Sequence, residues 1–344
     1  MLDTLMKKRD LPTLRPRGEM LDILHREIYG YVRATWDTPV FTVKENIVPN
    51  FCAGKATLNK VTVTCRTAGR EFSFPFYETL IYDGKHHPFF VHINFRDSVP
   101  DRYMPTEELV DNGFSVLSFC YNDVTRDNND FTDGLAGILY NGSRRPDDAG
   151  KIAMWSWAAS RIMDHAETRG DMLDLDCATV CGHSRLGKAA LLAAADDERF
   201  AYAYSNDSGC SGAALSRGKS GENIKDICSR FPYWFCENYY KYAEYEDELP
   251  CDQHFLLAAI APRRVLIGSA ADDAWADPPS EFLSALAASP VFSRGLECPD
   301  CLPKAGDFLP RGDIGYHLRA GRHYFSREDW QRLIEFIRIH GGVK

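Results

Sequence analysis

One serine of the sequence lies where an expected strand turns directly into an expected helix. The segment Gly182-His183-Ser184-Arg185-Leu186-Gly187-Lys188 separates a short apolar run from an alanine- and leucine-rich stretch. Small residues around such a serine permit a strained turn that exposes its hydroxyl at the positive end of a helix. The spacing departs from G-x-S-x-G, because the second glycine is residue 187. The pattern predicts a nucleophilic serine, and the alternative is a plain junction in which Ser184 caps the helix.

A nucleophilic serine needs a general base, and that base needs a carboxylate to orient it. In α/β-hydrolases these residues follow one another in the order serine, acid, histidine. His323 follows the last expected strand on a glycine-containing loop, whereas His317 lies within that strand and is expected to be packed. Asp207 and Asp273 each follow an expected strand. Each of the two is either the acid or an aspartate that caps a loop.

These residues require a scaffold, and the sequence indicates an α/β fold. From residue 88 onward, short apolar runs alternate with helix-length segments, which is typical of βαβ units and of a mostly parallel sheet covered by helices on both faces. Functional residues are then expected at the carboxyl ends of the strands. The predicted strands are 88–95, 114–120, 177–181, 200–205 and 264–270, and the predicted helices are 151–168, 185–195, 253–259 and 327–340.

The chain before this alternating region has a different pattern. Residues 1–40 are predicted to form a helical extension, because the apolar residues between positions 20 and 29 recur with helical spacing. Segments 56–65 and 70–76 predict the strands of an antiparallel ribbon. No low-complexity linker interrupts the sequence, so residues 41–344 are expected to form a single catalytic domain.

Composition and charge narrow the possible partners and compartments. The chain has 344 residues, a net charge of −9, and dispersed rather than clustered basic residues, so no nucleic-acid partner is expected. No apolar run approaches the roughly 18 residues of a membrane span, and no signal-peptide pattern opens the sequence. Eleven cysteines are scattered through apparent core segments, as reduced buried thiols would be. A cytoplasmic protein without a membrane partner is the expectation.

Metal and cofactor signals are weak. Cys298 and Cys301 have the spacing of metal ligands, but no second pair completes a set of four. Neither a Walker-type phosphate loop nor a redox-cofactor fingerprint occurs. No metal and no cofactor are therefore expected.

Taken together, the motifs resemble those of the glucuronoyl esterases, carbohydrate esterase family 15, which are α/β-hydrolases acting on esters of 4-O-methyl-glucuronic acid. The serine segment is similar to the family signature G-[CH]-S-R-x-G-K, which accounts for the late glycine. Further similar stretches are 206–214, 252–263, the loop around Trp275, and 321–323. The resemblance as a whole covers roughly residues 88 to 340. The resemblance implies an α/β-hydrolase fold with a mostly parallel central sheet between two layers of helices.

The resemblance also implies roles for individual residues. Ser184 corresponds to the nucleophile and His323 to the general base. Arg185, whose backbone N–H follows the nucleophile, corresponds to the oxyanion donor. Lys188 and Trp275 match positions that hold the hydroxyl groups and the face of the uronic acid, and an ammonium beside an aromatic wall suits a polar sugar.

The sequence departs from the family pattern in ways that bear on the acid and the substrate. Many members have a glutamate where this chain has Asp207, which is one methylene shorter, so Asp273 is preferred as the acid. Secreted fungal members have a cystine beside the serine and the histidine, and here those neighbours are His183 and Tyr324. The lack of that bridge agrees with a cytoplasmic chain.

The expected function is that of a serine esterase that cleaves glucuronic or 4-O-methyl-glucuronic esters, with a small uronate-ester oligosaccharide, such as one derived from xylan, as substrate. Glu222 lies in the insertion that follows Asp207 and is a further candidate contact to this substrate. Two alternatives stay open at this point. One is a carbohydrate acetylesterase, and the other is a non-catalytic protein that binds carbohydrate with an inactive hydrolase fold.

Overall fold

A ten-stranded sheet forms the centre of the computed structural model, which describes residues 2–140, 142–297 and 301–341. The strands are β1 Val40–Lys44, β2 Ala56–Thr67, β3 Arg70–Ile81, β4 His87–Asn94, β5 Ser115–Cys120, β6 Leu173–His183, β7 Tyr202–Asn206, β8 Arg264–Ala270, β9 Phe308–Leu309 and β10 Ile314–Arg319. Their order across the sheet is β1-β2-β3-β5-β4-β6-β7-β8-β10-β9.

The helices are α1 Leu2–Lys7, α2 Arg17–Leu24, α3 Thr106–Asp111, α4 Tyr121–Val124, α5 Gly134–Leu139, α6 Lys151–Glu167, α7 Arg185–Asp196, α8 Ile224–Arg230, α9 His254–Ala258, α10 Pro278–Ala288 and α11 Arg327–Ile339. A π-helical turn, His25–Tyr29, continues α2. Short 3-10 turns lie at Phe51–Gly54, Glu237–Tyr242, Glu246–Glu248 and Ser289–Val291.

The strands predicted from the alternating pattern are confirmed, with bounds that differ by a few residues. Strands β5, β4, β6, β7, β8 and β10 run parallel, so their carboxyl ends lie at one edge. The predicted ribbon is also confirmed, as β2 pairs antiparallel with β3 over their whole lengths. Strand β3 also pairs antiparallel with β5, so the ribbon extends the same sheet.

Apolar side chains on both faces of the sheet are buried beneath helices. In β8, Val265 and Ile267 belong to a large core together with α6, α7 and α10, whereas Leu266 between them belongs to a second core with α3 and α11. This alternation is expected of a sheet that is covered on both sides. No described helix is long and apolar enough to cross a bilayer.

Residues 20–29 of the segment before β1 pack into the main core. Met20, Ile23, Leu24, Ile28 and Tyr29 are all buried there. Hydrogen bonds also join the segment to later parts of the chain, since Arg17 donates to the carbonyl groups of Ala259 and Ala195. The predicted domain boundary, between residues 40 and 41, lies at the start of β1.

Candidate active site

Ser184 occupies a strained turn between β6 and α7. Its backbone has φ +58° and ψ −127°, a conformation that non-glycine residues rarely adopt. The flanking glycines permit this turn, because a Cβ on Gly182 would lie 2.3 Å from the carbonyl oxygen of Leu186. A Cβ on Gly187 would lie 2.9 Å from Ser205 Oγ. The later of the two glycines is thus needed for packing against β7, which explains its unusual spacing.

Arg185 is the first residue of α7, where backbone N–H groups lack intrahelical acceptors. Its N–H therefore belongs to the positive end of the helix, next to Ser184. Its guanidinium is fixed by an ion pair with Asp127 and lies 4.7 Å from the centre of the Trp234 ring. Trp234 Nε1 donates to the same carboxylate at 2.7 Å. This arrangement holds a cation beside the nucleophile without leaving it free to move.

His323 and Asp273 form a close pair. The distance between His323 Nδ1 and Asp273 Oδ2 is 2.6 Å, and Asp273 is almost fully buried. Burial alone would raise the pKa of Asp273, but the hydrogen bond and charge of His323 outweigh it, so the pKa lies below its ordinary value. An ionised acceptor on this side requires a proton on Nδ1, which leaves Nε2 as the acceptor of a proton.

Asp207, the alternative acid, lies near this pair but has other partners. Its Oδ2 accepts hydrogen bonds from Arg319 Nη2 at 3.0 Å and from the N–H of Tyr324 at 3.4 Å. Burial and the charge of Glu281 raise its pKa well above the ordinary value, although Arg319 opposes this effect. The structure thus brings Asp273, and not Asp207, into hydrogen-bond contact with His323.

His183 fills the position next to the serine. Its ring centre is 4.4 Å from that of His323, and its Nδ1 is 2.7 Å from Asn206 Oδ1. Burial, reinforced by the charge of His323, lowers the pKa of His183 well below its ordinary value. A neutral, packed imidazole therefore lies against the ring of His323.

A cavity of about 360 Å³ opens at the carboxyl ends of the strands. Every predicted site residue lines it, namely Ser184, Arg185, Lys188, Asp207, Glu222, Asp273, Trp275 and His323. The volume lies within the range of small-molecule sites. Trp275 is 43% exposed, so part of its ring is accessible to a ligand in the cavity.

Lys188 is buried at this cavity rather than solvated. Its Nζ donates to the carbonyl oxygen of Cys210 at 2.6 Å and to that of Ser208. An ammonium has three N–H donors, and the described residues accept from two of them, which leaves one for a ligand. Burial lowers the pKa of Lys188, and the carboxylate of Glu222 opposes this effect.

Glu281 joins the strand ends beneath the cavity. Its Oε1 accepts from the N–H of Gly209 at 2.8 Å, and its Oε2 accepts from Ser269 Oγ on β8. Burial raises the pKa of Glu281 to about 7, against the effect of these hydrogen bonds. A carboxyl group that can hold a proton near neutral pH therefore links the loop of Asp207 to the strand that precedes Asp273.

Asp207, Asp273 and His323 each offer an atom within 4.8 Å of the others, a spacing that could suit a metal ion. The surrounding charges argue against one. Arg319 already supplies a cation to Asp207, and His323 Nδ1 is engaged by Asp273. Of the pair Cys298 and Cys301, Cys298 lies outside the described residues.

Sequence reasoning missed several residues of the site. Asp127 and Trp234 fix Arg185, and Phe231 and Arg230 also line the cavity. Trp234 lies in an aromatic run that could have marked it. No comparable signal marked Asp127, because its partner lies 58 positions later in the chain.

Comparisons with known proteins found a family model and several curated relatives that match the chain. The family model described as glucuronyl esterase, fungi, matches residues 63–294. The chain is similar to the carbohydrate esterase MZ0003 of an unknown prokaryotic organism, with 42% identity over 69% of this chain and 56% of that protein. It is also similar to 4-O-methyl-glucuronoyl methylesterase 1 of Phanerochaete chrysosporium, with 30% identity over 53% of this chain and 40% of the relative. The chain thus spans about half the length of these curated relatives.

Solved structures show the same architecture. A promiscuous CE15 esterase from the marine bacterial metagenome has a TM-score of 0.84 and 31% identity, covering 94% of this chain and 91% of the other. A glucuronoyl esterase from Solibacter usitatus has the same TM-score and coverage with 30% identity. The predicted α/β-hydrolase fold is confirmed.

Proposed function

The chain belongs to the glucuronoyl esterase family, and from this premise we propose that it hydrolyses esters of glucuronic or 4-O-methyl-glucuronic acid through an acyl-enzyme on Ser184. The observation that carries the proposal is the 2.6 Å contact between His323 Nδ1 and Asp273, beside a serine in a strained turn and at the wall of a sugar-sized cavity. The curated relatives named 4-O-methyl-glucuronoyl methylesterase supply the substrate class.

In the proposed reaction, His323 Nε2 takes the proton of Ser184 as Oγ attacks the ester carbonyl. The N–H of Arg185 stabilises the oxyanion at the positive end of α7. The alcohol leaves with the proton held by His323, and an acyl-enzyme forms. Water then attacks this intermediate with the same base, which releases the uronic acid and restores Ser184. Asp273 stabilises the imidazolium in both steps.

The acyl side of the substrate fits the cavity better than the alcohol side does. Lys188 has a free donor, and Glu222 and the exposed ring of Trp275 line the same space. An ammonium, a carboxylate and an aromatic face form a set that can bind several sugar hydroxyls and one apolar sugar face. We therefore assign the uronoyl group, rather than the leaving alcohol, to this cavity.

We propose that the protein is cytoplasmic. Most described cysteines are buried thiols, which supports a reducing compartment. A cytoplasmic enzyme would act on uronate-ester oligosaccharides, such as fragments derived from xylan, rather than on a polymer.

The first experiment measures release of uronic acid from benzyl glucuronate and release of acetate from an acetylated sugar. We expect hydrolysis of the glucuronate ester and a loss in Ser184→Ala of about 10⁴-fold or more in kcat. Ser73→Ala, which alters an exposed serine of the antiparallel ribbon, is the matched control and should retain wild-type rates. Turnover of the acetylated sugar alone would favour the acetylesterase, and no serine-dependent turnover on either substrate would favour the binding protein.

A further inference from the structure

The loop that carries His323 is short and exposed. It connects the end of β10 at Arg319 to Ser326, the N-cap of α11. His323 itself has a side chain that is 45% exposed, so packing alone does not fix it. Gly321 has φ +95°, and its carbonyl oxygen accepts from the N–H of Asp272, which fixes only the first half of the loop.

One buried side chain donates to three carbonyl groups of this backbone. Arg319 is 4% exposed, and its guanidinium lies beneath the loop. Nη1 donates to the carbonyl oxygen of Ala320 at 3.0 Å. Nη2 donates to the carbonyl oxygen of Arg322 at 3.0 Å and to that of Tyr324. The peptide carbonyls on both sides of His323 are therefore bound to the same nitrogen atom.

The guanidinium is fixed in turn by two buried carboxyl groups. Asp207 accepts from Nη2 at 3.0 Å, and Asp329 accepts from Nε at 2.7 Å. Each of these carboxyl groups also binds the loop. Asp207 accepts from the N–H of Tyr324, and Asp329 accepts from the N–H and Oγ of Ser326. The network thus includes both ends of the loop and the backbone next to the imidazole.

We propose that Arg319 is a positioning residue of His323, which acts through the loop backbone, and that Asp207 serves this network as an anchor for Arg319 instead of acting on the imidazole itself. The inference rests on the proposed function in one respect, namely that His323 is the base for Ser184. A planar guanidinium suits this position because its five donors have fixed directions, which an ammonium cannot reproduce. Small displacements of a catalytic group lower the rate strongly, by about 100-fold for about 1 Å.

A merely structural role for Arg319 would also lower activity, so the test needs a matched control. Arg217 provides one, since it too is 4% exposed. It donates to three backbone carbonyls, those of Asp247, Leu249 and Cys251, and it contacts the buried Asp252. Arg217 does not line the cavity. Replacing it removes a similar set of bonds without touching the loop of His323.

The experiment compares Arg319→Lys, Arg319→Ala and Arg217→Ala with the wild type. The first readout is the rate at which a fluorophosphonate probe modifies Ser184. In that reaction Oγ displaces fluoride from phosphorus while His323 takes the hydroxyl proton, so no sugar is required. The second is kcat and KM on benzyl glucuronate, and the third is thermal unfolding. Guanidinium ion at millimolar concentration is added to Arg319→Ala as a chemical replacement.

We expect both Arg319 variants to lose about 100-fold in probe reaction and in kcat, with KM nearly unchanged. Guanidinium should restore part of the rate of Arg319→Ala, and Arg217→Ala should lose stability without losing rate. Equal losses of rate in Arg319→Lys and Arg217→Ala would overturn the proposal, as would failure of Arg319→Lys to fold, because either result would make Arg319 a general support of the fold.

Failure of the proposed substrate would give a different result. In that case the wild type would react with the probe but leave benzyl glucuronate intact, and the probe rates would still test Arg319. A wild-type rate of probe reaction in Arg319→Ala would overturn the positioning role even if the ester were hydrolysed.

Discussion

Two loops at neighbouring strand ends each present an aspartate to the same histidine region, yet their surroundings differ. Asp207 directly follows β7, and Asp273 follows β8 by three positions. Both are buried. Asp273 accepts from an imidazole and has a lowered pKa, whereas Asp207 accepts from a guanidinium and a backbone N–H and has a raised pKa. The burial of Asp207 and its proximity to Glu281 raise its pKa despite Arg319.

This contrast indicates that the bonding partners of a buried carboxyl group, more than its residue type or its position in the fold, decide what it can do. An acid that stabilises an imidazolium must be ionised, and Asp273 fulfils this condition. A group that holds a backbone loop needs only acceptor atoms, and Asp207 supplies these in either protonation state. Pairs of acids whose environments separate their pKa values commonly have separate roles.

Among the variants that compare the two loops, Asp273→Asn should lower activity the most. An asparagine amide can donate to Nδ1 and so favours the tautomer of His323 that cannot accept the proton of Ser184 at Nε2. We expect kcat to fall by about 10⁴-fold with little change in KM. Steady-state kinetics on the ester hydrolysed by the wild type provide the measurement.

Asp272→Asn is the control for this change, because Asp272 is an exposed neighbour in the same loop. It should leave kcat near the wild-type value. If Asp273→Asn kept most of its activity, the proposed role of Asp273 would be wrong, and another carboxyl group would have to orient His323.

Glu281 accepts hydrogen bonds from the loop of Asp207 and from the strand that precedes Asp273, so its titration can affect both loops. Its pKa of about 7 lies above the ordinary value of a glutamate, so the folded state holds this proton more tightly than the unfolded state does. The resulting stability is fully present below the unfolded pKa and is lost as the pH rises through about 7. The loss amounts to about 3 kcal/mol at most.

Glu281→Gln removes this titration and keeps an acceptor for the N–H of Gly209. We expect the free energy of unfolding of the variant to change less between pH 5 and pH 8 than that of the wild type, as measured by denaturant unfolding at several pH values. Glu248→Gln, at an exposed glutamate, should follow the wild-type curve. Parallel curves for Glu281→Gln and the wild type would contradict the prediction.

The parts of the fold and site that local sequence determines were predictable. The turn at Ser184 depends on a strand, two glycines and a helix that all lie within residues 173–196. His323 was recognisable because it follows the last parallel strand, and chain order limits which loops can reach the serine. The parallel sheet followed from the alternation of strand and helix patterns.

The contacts that assign the two acids were not predictable, because they join distant positions. Asp207 and Arg319 are 112 residues apart, and no local sequence pattern around either residue marks the other as its partner. Asp273 and His323 are 50 residues apart, and the sequence suggested their pairing only through the serine, acid, histidine order of α/β-hydrolases. Packing also decides that Lys188 is buried, which its place on a helix did not indicate.

Asp207→Asn carries the smallest expected effect and separates the two loops most directly. Asparagine has the shape of a protonated aspartic acid, and its carbonyl oxygen can accept from Arg319 Nη2 and from the N–H of Tyr324 as the carboxyl oxygen does. The substitution removes the charge of Asp207 but keeps both accepted hydrogen bonds, so it changes little in the network around Arg319. We expect kcat to stay within about 10-fold of the wild type.

Asp207→Ala gives the contrast within the same position. It removes both acceptors, leaves the guanidinium of Arg319 with one carboxyl partner, and frees the N–H of Tyr324. We expect this variant to react more slowly with the fluorophosphonate probe than Asp207→Asn does. If instead the asparagine variant lost as much activity as Asp273→Asn, the charge of Asp207 would be required, and the two carboxyl groups would share the task of orienting His323.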